Sequence, residues 1–543
     1  MPGGGEMALV AVGNQNIILS GNASFTNFYK VFKRYTHFSQ ESISIPLEGP
    51  NVLMMDSGAR LRVKVLPRNA ALLKDLTLVF RIPDIYSKLL AGFGDVSSGT
   101  PAFRWIHMLG PLLIESVAIY VGGTKVQEFP GEWITVRATA DLPADKYNQW
   151  RALVGDAPEL HTPEWGIRGR STAYPFAPGE YPHVVADPLG AATAPSVYGR
   201  EIRVPLPFWF SESPGQALPL TALQLHPVEV QIQLRTMREV YRLMDVETGR
   251  EPLRPGATLL VDPALPTAYD PAAVPNPYDN LTFQSDYGAQ DDPLTYLRNF
   301  FTDAGYPIPN QDGFELNAHL EGTYVYLTER EEKVFVEREL RSLVHQVQVF
   351  YFPGVTRRQR FDLEMYGLAH RLVFFGRRTD AIEQRNDYLN LSNWKNRGQA
   401  PYWPLSAGAA VPNSGLLVPF TQRDIVQSAK LILAGNDLME EKPGTYFELH
   451  TPFLTGAGSS GGGLVRPDDI LGPLYHYPFA LNASDHTQPS GSLNTSRFRE
   501  LQLEVQPYPL DPASPYGYDF TVYVETINVL RIMNGMAGLE FAI

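Results

Sequence analysis

One stretch of this 543-residue chain has the spacing that nucleotide or acyl chemistry would need. The glycine-rich run from Gly456 to Gly463 fits the G-x-G-x-x-G pattern and also the G-x-S-x-G pattern around Ser460. Both chemistries require a strand before the run and a helix after it. Pro467 follows within a few residues and no helical periodicity appears, so we interpret the run as a low-complexity loop.

A group of carboxylates is the second candidate for chemistry. Glu329, Glu331 and Glu332 lie close together, and paired carboxylates on a β-sandwich are typical of glycosidases. Acidic residues directly after Thr328 are also typical of a solvated first helical turn, which the helix dipole favours. We interpret them as a helix start rather than an acid–base pair.

Histidines are the third candidate, and they show no HExxH or other metal-binding spacing. His345, His370 and His476 lie in strand-like segments, where we expect ordinary polar positions. The sequence therefore predicts no catalytic residue, no cofactor-binding residue, no metal ligand and no cofactor. We expect a protein that is not an enzyme.

The elements around these residues are mostly strands. Val228 to Arg235 alternates apolar and polar residues, which predicts an antiparallel strand with one buried face. A strand of about ten residues begins at Asp519, with Val522 and Val524 on one face and Tyr523 and Glu525 on the other. Helical patterns are few, chiefly Ala144 to Val154 and a short helix after Thr328. With 45 Gly and 46 Pro to make turns, the chain is predicted to be all-β.

Composition excludes several classes of function. The chain has no cysteine, which excludes disulfides, zinc–thiolate sites and cysteine nucleophiles. Its net charge of −13 is opposite to that of a protein that neutralises phosphates, so we expect no direct nucleic-acid binding. No apolar run approaches the length of about 18–20 residues that spans a bilayer.

Pattern shifts along the chain predict its domain organisation. We assign residues 1–24 to an N-terminal arm, 25–243 to a first β-sandwich, 244–317 to an irregular connector and 318–543 to a second β-sandwich. The connector contains DPALPTAYDPAAVPNPYD, which sustains neither a helix nor a central strand. Composition and periodicity alone predict two β-sandwich domains.

Several segments, in order, resemble one protein family. They are GNASFTNFYKVFKRYTHFSQESI (Gly21–Ile43), VAIYVGGTKVQEFPGEWI (Val117–Ile134), the Val204–Arg235 segment, LEGTYVYLTEREEKVFVE (Leu320–Glu337), Leu431–Glu448, His486–Phe498 and Asp519–Ile543. Together they resemble the major capsid proteins of nucleocytoplasmic large DNA viruses, of the iridovirus and phycodnavirus type. The resemblance implies a double jelly roll: two eight-stranded antiparallel β-sandwiches with long loops and few short helices.

The same resemblance implies where two segments belong. Leu320–Glu337 is similar to the start of the family's second jelly roll. Lys30 to Tyr35 is basic and aromatic, which could suggest nucleic-acid binding, but it stands where the family begins its first strand. We therefore interpret it as structural.

The function implied by the resemblance is that of a structural subunit of a virus shell. Homotrimers would form pseudo-hexagonal capsomers that tile an icosahedral shell. The expected partners are neighbouring capsomers, minor capsid and penton proteins and a nearby inner viral membrane, with assembly in the host cytoplasm and residence in the virion capsid.

Two alternatives remain open from the sequence. One is a double jelly-roll scaffold protein of immature virions, which shares the fold but leaves the mature particle. The other is a carbohydrate-active β-sandwich enzyme or lectin, which would need a cleft with convergent carboxylates or stacked aromatic side chains.

Overall fold

The architecture was taken from a computed structural model of the chain. It describes residues 3–30, 32–87, 101–165, 181–182, 194–245, 300, 313–393, 411–412, 417–418, 424–455, 472–498, 500–510 and 516–541. The predicted connector 244–317 and the glycine-rich run 456–463 lie largely or wholly outside these residues.

The chain divides into two compact units, one ending at Ser39 and one beginning at Gln40. The first unit carries helices α1 (Gly4–Val10) and α2 (Asn14–Ser20), neither of which buries a residue. This first unit ends at residue 39, whereas the sequence analysis predicted that the N-terminal arm ends at residue 24. Lys30 and residues 32–35 are not in a strand, and Phe32 and Tyr35 are exposed, so the first strand begins later than the resemblance implied, at Phe38.

Strands of the N-terminal half are short and separated by turns. They are β1 (Phe38–Pro46), β2 (Val52–Met54), β3 (Arg60–Val63), β4 (Leu72–Arg81), β5 (Pro101–Trp105), β6 (Ile114–Val121), β7 (Thr124–Pro130), β8 (Glu201–Pro205), β9 (Leu218–Pro219), β10 (Val228–Leu234) and β11 (Tyr241–Asp245). The strand predicted at Val228 is confirmed, because β10 alternates buried and half-buried positions throughout.

The C-terminal half contributes the remaining strands. They are β12 (Gly313–Glu315), β13 (His319–Leu327), β14 (Leu340–Val355), β15 (Gln359–Leu363), β16 (Leu368–Arg378), β17 (Val411–Pro412), β18 (Leu417–Val418), β19 (Val426–Leu433), β20 (Asn436–Pro443), β21 (Tyr475–Pro478), β22 (Leu493–Asn494), β23 (Leu501–Pro507), β24 (Tyr518–Met533) and β25 (Met536–Leu539).

Helices among the described residues are short. After α1 and α2 come α3 (Leu109–Leu113), α4 (Gly131–Asp141), α5 (Ala144–Leu153), α6 (Pro158–His161), α7 (Glu329–Glu337), α8 (Thr379–Arg385) and α9 (Thr451–Thr455), with a π-helical turn at Tyr446–His450. The 3₁₀ turns are Pro163–Trp165, Trp209–Ser211, Pro214–Gln216, Leu220–Ala222, Met237–Glu239 and Thr495–Arg497. The two predicted helices are confirmed as α5 and α7. None of the described helices has the length and apolar character that crossing a bilayer requires.

Each half forms two facing antiparallel sheets. In the N-terminal half the strand orders are β1-β13-β4-β8, with β9 beside β4, and β3-β10-β6-β7. In the C-terminal half they are β14-β24-β16-β21, with β22 and β25 added, and β15-β23-β19-β20. Short two-stranded ladders join β2 to β12, β5 to β11 and β17 to β18.

One strand belongs to the other half from that predicted. β13 pairs antiparallel with β4, from His319 opposite Val79 to Val325 opposite Leu72. It therefore completes the N-terminal sandwich, although the sequence analysis placed residue 318 at the start of the second one. The strands of the second sandwich begin with β14.

The β6–β7 hairpin shows how the sequence dictates its turn. Gly122 and Gly123 have φ angles of +58° and +83°. Positive φ at both central positions is the requirement of the two-residue hairpin turn whose twist matches the flanking strands, and glycine meets it without steric cost. β7 then leads directly into α4, which is the element that faces the second sandwich.

Two apolar cores hold the fold together. The second sandwich has its own core, to which β24 contributes Phe520, Val522 and Val524. The core of the first sandwich extends across to the second half and includes Phe375 and Tyr523. Alternate side chains of β24 thus enter different cores, and the strand is buried on both faces.

Candidate functional site between the two sandwiches

A group of deeply buried charged side chains lies where α4 meets β16 and β24. α4 starts directly after Pro130, and Gly131 lies so close to α3 that an added Cβ would be 2.1 Å from the Pro111 carbonyl oxygen. That close approach fixes the position of the helix. Residues 131–140 are all buried, and they include Glu132 and Arg137.

Period-2 geometry explains how the second sandwich supplies the partners of α4. In β16, Leu372 and Phe374 enter the core of the second sandwich, so Arg371 and Arg377 point the other way. In β24 the same alternation turns Tyr523 and Glu525 toward α4. Both strands are central in their sheet, which keeps these charged groups away from water.

Arg371 is the centre of the charged network. Its guanidinium binds both carboxylate oxygens of Asp141, at 2.6 and 2.8 Å, and its Nε lies 2.7 Å from Glu525 Oε2. Arg371 and Glu525 are 2% and 1% exposed, so this is a fully desolvated ion pair. Two carboxylates around one guanidinium in fork geometry are a strong and directional arrangement.

The pKa values of these groups reflect their mutual attraction. Burial by itself would raise the pKa of Glu525, but the positive charge of Arg371 together with other nearby cationic groups outweighs it and holds that pKa at about 2. Asp141 behaves in the same way: burial opposes ionisation, yet Arg371 and the hydrogen bond from His486 hold its pKa well below the usual range. Both carboxyls are therefore ionised in the folded protein.

A second ion pair continues the network along α4. Arg377 Nη1 lies 2.6 Å from Glu132 Oε1, and the Tyr523 hydroxyl donates to Glu132 Oε2 at 3.4 Å. Trp133 packs beside Tyr523, with ring centroids 5.0 Å apart. The helix thus offers alternating charged and aromatic contacts to the opposite sandwich.

Three imidazoles close one side of the network. The ring centroids of His345 and His486 are 4.7 Å apart, and those of His345 and His370 are 5.4 Å apart. His486 Nε2 lies 3.0 Å from Asp141 Oδ2. Burial lowers the pKa of His345 to about 3 and lowers that of His370, so both are neutral at physiological pH.

Backbone groups add further contacts between the halves. Gln127 donates to the His345 carbonyl and Gln346 donates to the Val126 carbonyl, both at 2.7 Å, so β7 and β14 exchange reciprocal side-chain bonds. At another point the Leu225 amide donates to the Gly535 carbonyl at 2.9 Å. The interface between the sandwiches is therefore extended and well bonded.

The residues singled out from the sequence are placed as follows. Glu329, Glu331 and Glu332 form the first turn of α7, the helix start that was expected. The Ser460 segment lies outside the described residues. His345, His370 and His476 lie in β14, β16 and β21, as the strand-like pattern predicted, and all three are buried.

Sequence reasoning missed the charged network itself. The signal was a charged residue within an otherwise apolar strand, namely Glu525 in β24 and Arg371 at the start of the apolar stretch of β16. These positions are normally solvent-facing in a one-sided sheet. Here they are buried because a second sandwich covers that face.

Solved structures with this architecture define the class of protein. PBCV-1 VP54, whose crystal structure was fitted into a cryo-EM reconstruction of the virophage Sputnik, superimposes with a TM-score of 0.58 at 19% identity, over 95% of this chain and 100% of its own. The Faustovirus major capsid protein gives 0.57 at 13% identity, over 96% and 94%. The fold is that of double jelly-roll capsid proteins, as the sequence predicted.

Sequence comparison then identifies the family. A model described as major capsid protein N-terminus matches residues 26–254, and one described as large eukaryotic DNA virus major capsid protein matches residues 329–538. The major capsid protein of Chrysochromulina ericina virus is 25% identical over 99% of this chain and 100% of its own. That of Phaeocystis pouchetii virus is 27% identical over 99% of both chains. The chain belongs to the major capsid protein family of large eukaryotic DNA viruses.

Proposed function

We propose that this capsid protein works as a homotrimer that tiles an icosahedral shell as a pseudo-hexagonal capsomer. Two sandwiches per chain, repeated by a threefold axis, give six similar lobes. The observation that carries the proposal is the buried network around Arg371, which joins the sandwiches within one compact unit. A hexagonal outline needs two lobes at a fixed angle, and a desolvated, hydrogen-bonded interface resists hinge motion.

The partners in the proposal are other capsid components. Neighbouring capsomers, minor capsid proteins and penton proteins would contact the trimer, an inner viral membrane would lie nearby, and assembly would take place in the host cytoplasm. The net charge of −13 supports a role without direct nucleic-acid binding. A structural rather than enzymatic role is supported by the use of the buried ionic groups in holding two halves together.

The N-terminal arm, residues 1–24, is proposed to act in assembly rather than in folding. Helices α1 and α2 have only seven residues each, below the length at which isolated helices are stable. Their apolar side chains are exposed, including Leu9 at 80% and Leu19 at 90%. Such a segment gains from docking beneath a neighbouring subunit or minor protein.

The trimer is tested by sedimentation velocity and negative-stain imaging of the purified full-length protein. We expect a single species of three chains with a hexagonal outline, because obligate interfaces bury large areas. A stable monomer at micromolar concentration would contradict the proposal.

The arm is tested by deleting residues 1–24. We expect the trimer to keep its melting temperature and to lose the ability to form sheets or shells. A matched variant, Ile18→Ser with Leu19→Ser, keeps the arm but removes its largest exposed apolar pair and should weaken assembly in the same direction. Loss of trimerisation on deletion would show instead that the arm belongs to the folded core.

A further inference from the structure

A second cluster of ionisable groups lies in the N-terminal half, away from the interface just described. His107 follows β5, Asp156 follows α5 and His161 is the last residue of α6, so three separate pieces of backbone converge. One ligand atom from each of the three residues lies within 4.8 Å of the other two. Two imidazoles and one carboxylate form a common ligand set for divalent transition metals.

The two distances from Asp156 Oδ1 to the imidazole nitrogens fit tetrahedral coordination. Metal–ligand bonds of about 2.0–2.1 Å at tetrahedral angles place neighbouring ligand atoms about 3.3 Å apart. Asp156 Oδ1 lies 3.3 Å from His107 Nδ1 and 3.6 Å from His161 Nε2. Both separations are long for a hydrogen bond to a carboxylate, which is usually below 3 Å, and both match the edge of a coordination tetrahedron.

Neighbouring groups contact two of the three ligands, His161 and Asp156. Thr162 Oγ1 lies 2.9 Å from His161 Nδ1, and in the tautomer in which Nδ1 donates to this oxygen, Nε2 carries the lone pair that a metal ion would accept. Arg151 Nε binds Asp156 Oδ2 at 2.7 Å, so the carboxylate presents only Oδ1 to the imidazoles.

The exposure of the cluster provides a path for an ion. The Asp156 side chain is fully buried and that of His161 is 10% exposed, whereas that of His107 is 22% exposed. The imidazole rings of His107 and His161 are tilted by 32° to each other, with centroids 3.9 Å apart, so the two imidazoles lie side by side next to the carboxylate.

We propose that His107, Asp156 and His161 bind one zinc-class divalent cation, with a fourth position left for water. The ion would join the segment that carries α5 and α6 to the end of β5, because its ligands come from both. A cation here also accounts for two closely packed imidazoles beside a carboxylate that already has an arginine partner.

The direct test is metal content of the full-length protein. Protein treated with EDTA, dialysed, incubated with zinc sulfate and desalted should retain one zinc per chain by plasma mass spectrometry. Cobalt(II) in place of zinc should give the visible absorption of a tetrahedral site, and zinc should raise the melting temperature by a few degrees. Absence of retained zinc together with an unchanged melting temperature would overturn the proposal.

Variants locate the site. Asp156→Asn and His161→Gln keep the side-chain shape and should abolish zinc retention, and His107→Gln, at the most exposed ligand, should reduce it at least tenfold. His319→Gln is the matched control, since His319 is a partly exposed histidine beside a carboxylate, Glu321, in the same half. If all three ligand variants retain zinc as the control does, the ion is bound elsewhere and the assignment is wrong. Because the zinc measurements on the unsubstituted protein need no variant, poor folding of a variant does not remove the test.

Discussion

Two clusters in this molecule contain the same set of groups, two histidines and one carboxylate, and they do different work. One is His107, Asp156 and His161 in the N-terminal half, and the other is His345, His486 and Glu525 between the sandwiches. In both, one carboxylate oxygen binds an arginine and the other faces the imidazoles. They differ in what surrounds them.

Glu525 is part of a closed network, whereas Asp156, itself buried, lies beside two partly exposed side chains, His107 and Arg151. Arg371 is 2% exposed and is shared by two buried carboxylates, so the charges of the interface cluster already compensate one another. Arg151, beside Asp156, is 24% exposed and can turn to water. Ligand type alone therefore does not make a metal site. A cation needs access and a carboxylate that is not already required by a buried positive charge.

The largest effect should come from Arg371→Ala. The substitution leaves Asp141 and Glu525 buried without their shared partner, and breaking such a pair costs about 3–5 kcal/mol of unfolding free energy. Urea denaturation followed by fluorescence measures it. The matched control is Arg341→Ala on β14, whose side chain is 58% exposed beside Glu339 and whose loss should barely change the free energy of unfolding. Equal losses of unfolding free energy in the two variants would show that the buried network stabilises the fold no more than an exposed ion pair does.

The second-largest effect should be destabilisation of the interface between the sandwiches by acid. The pKa of His345 is about 3 in the folded protein and about 6.5 when unfolded. Above pH 6.5 this histidine is neutral in both states; as pH falls below 6.5 only the unfolded chain takes up the proton. Stability should therefore fall by about 1.4 kcal/mol per pH unit for such a group, down to about pH 3.

Urea midpoints between pH 7.5 and 4 measure this slope. His345→Gln should reduce the slope by the contribution of about one bound proton. His319→Gln should leave the slope unchanged. Below pH 4 the loss should steepen, because Glu525 contributes stability that disappears as pH falls from its unfolded pKa toward about 2. A midpoint that does not move between pH 6.5 and 4 would contradict the neutral, buried state of His345.

A smaller loss is expected from Asp156→Asn in EDTA. The change removes a charge-assisted bond worth about 1.5–3 kcal/mol, and Arg151 can then reach water. Melting curves with and without zinc separate this loss from the contribution of the ion. A loss of unfolding free energy as large as that of Arg371→Ala would show that the two clusters stabilise the fold equally.

The positions of the strands could be predicted from the sequence, but which of those strands are buried on both faces could not. Alternation at Val228 to Arg235 predicted β10, and the turn residues Gly122 and Gly123 marked the β6–β7 hairpin. Alternation also predicted the strand after Asp519, but β24 is longer than expected and buried on both faces. A strand pattern reports which residues share a face; it does not report that a second domain covers the polar one.

The two clusters escaped prediction for a related reason. His107, Asp156 and His161 have no motif spacing, because three turns and helices bring them together instead of one helical face. His486 and Glu525 are linked only through the packing of the sandwiches. β13 was placed in the wrong half because its neighbour in space, β4, is more than 200 residues away in the chain. Local patterns carry no information on such distant partners.

The position of β24 in the order of synthesis has a consequence for when a subunit becomes usable. β24 lies between β14 and β16 in its sheet, yet the ribosome makes it after both of them. Until it appears, the second sandwich lacks its middle strand, and Arg371 and α4 lack Glu525 and Tyr523. We expect nascent chains stopped before Tyr518 to remain protease-sensitive and unable to join a trimer, so that a growing shell receives only subunits whose translation has passed this strand.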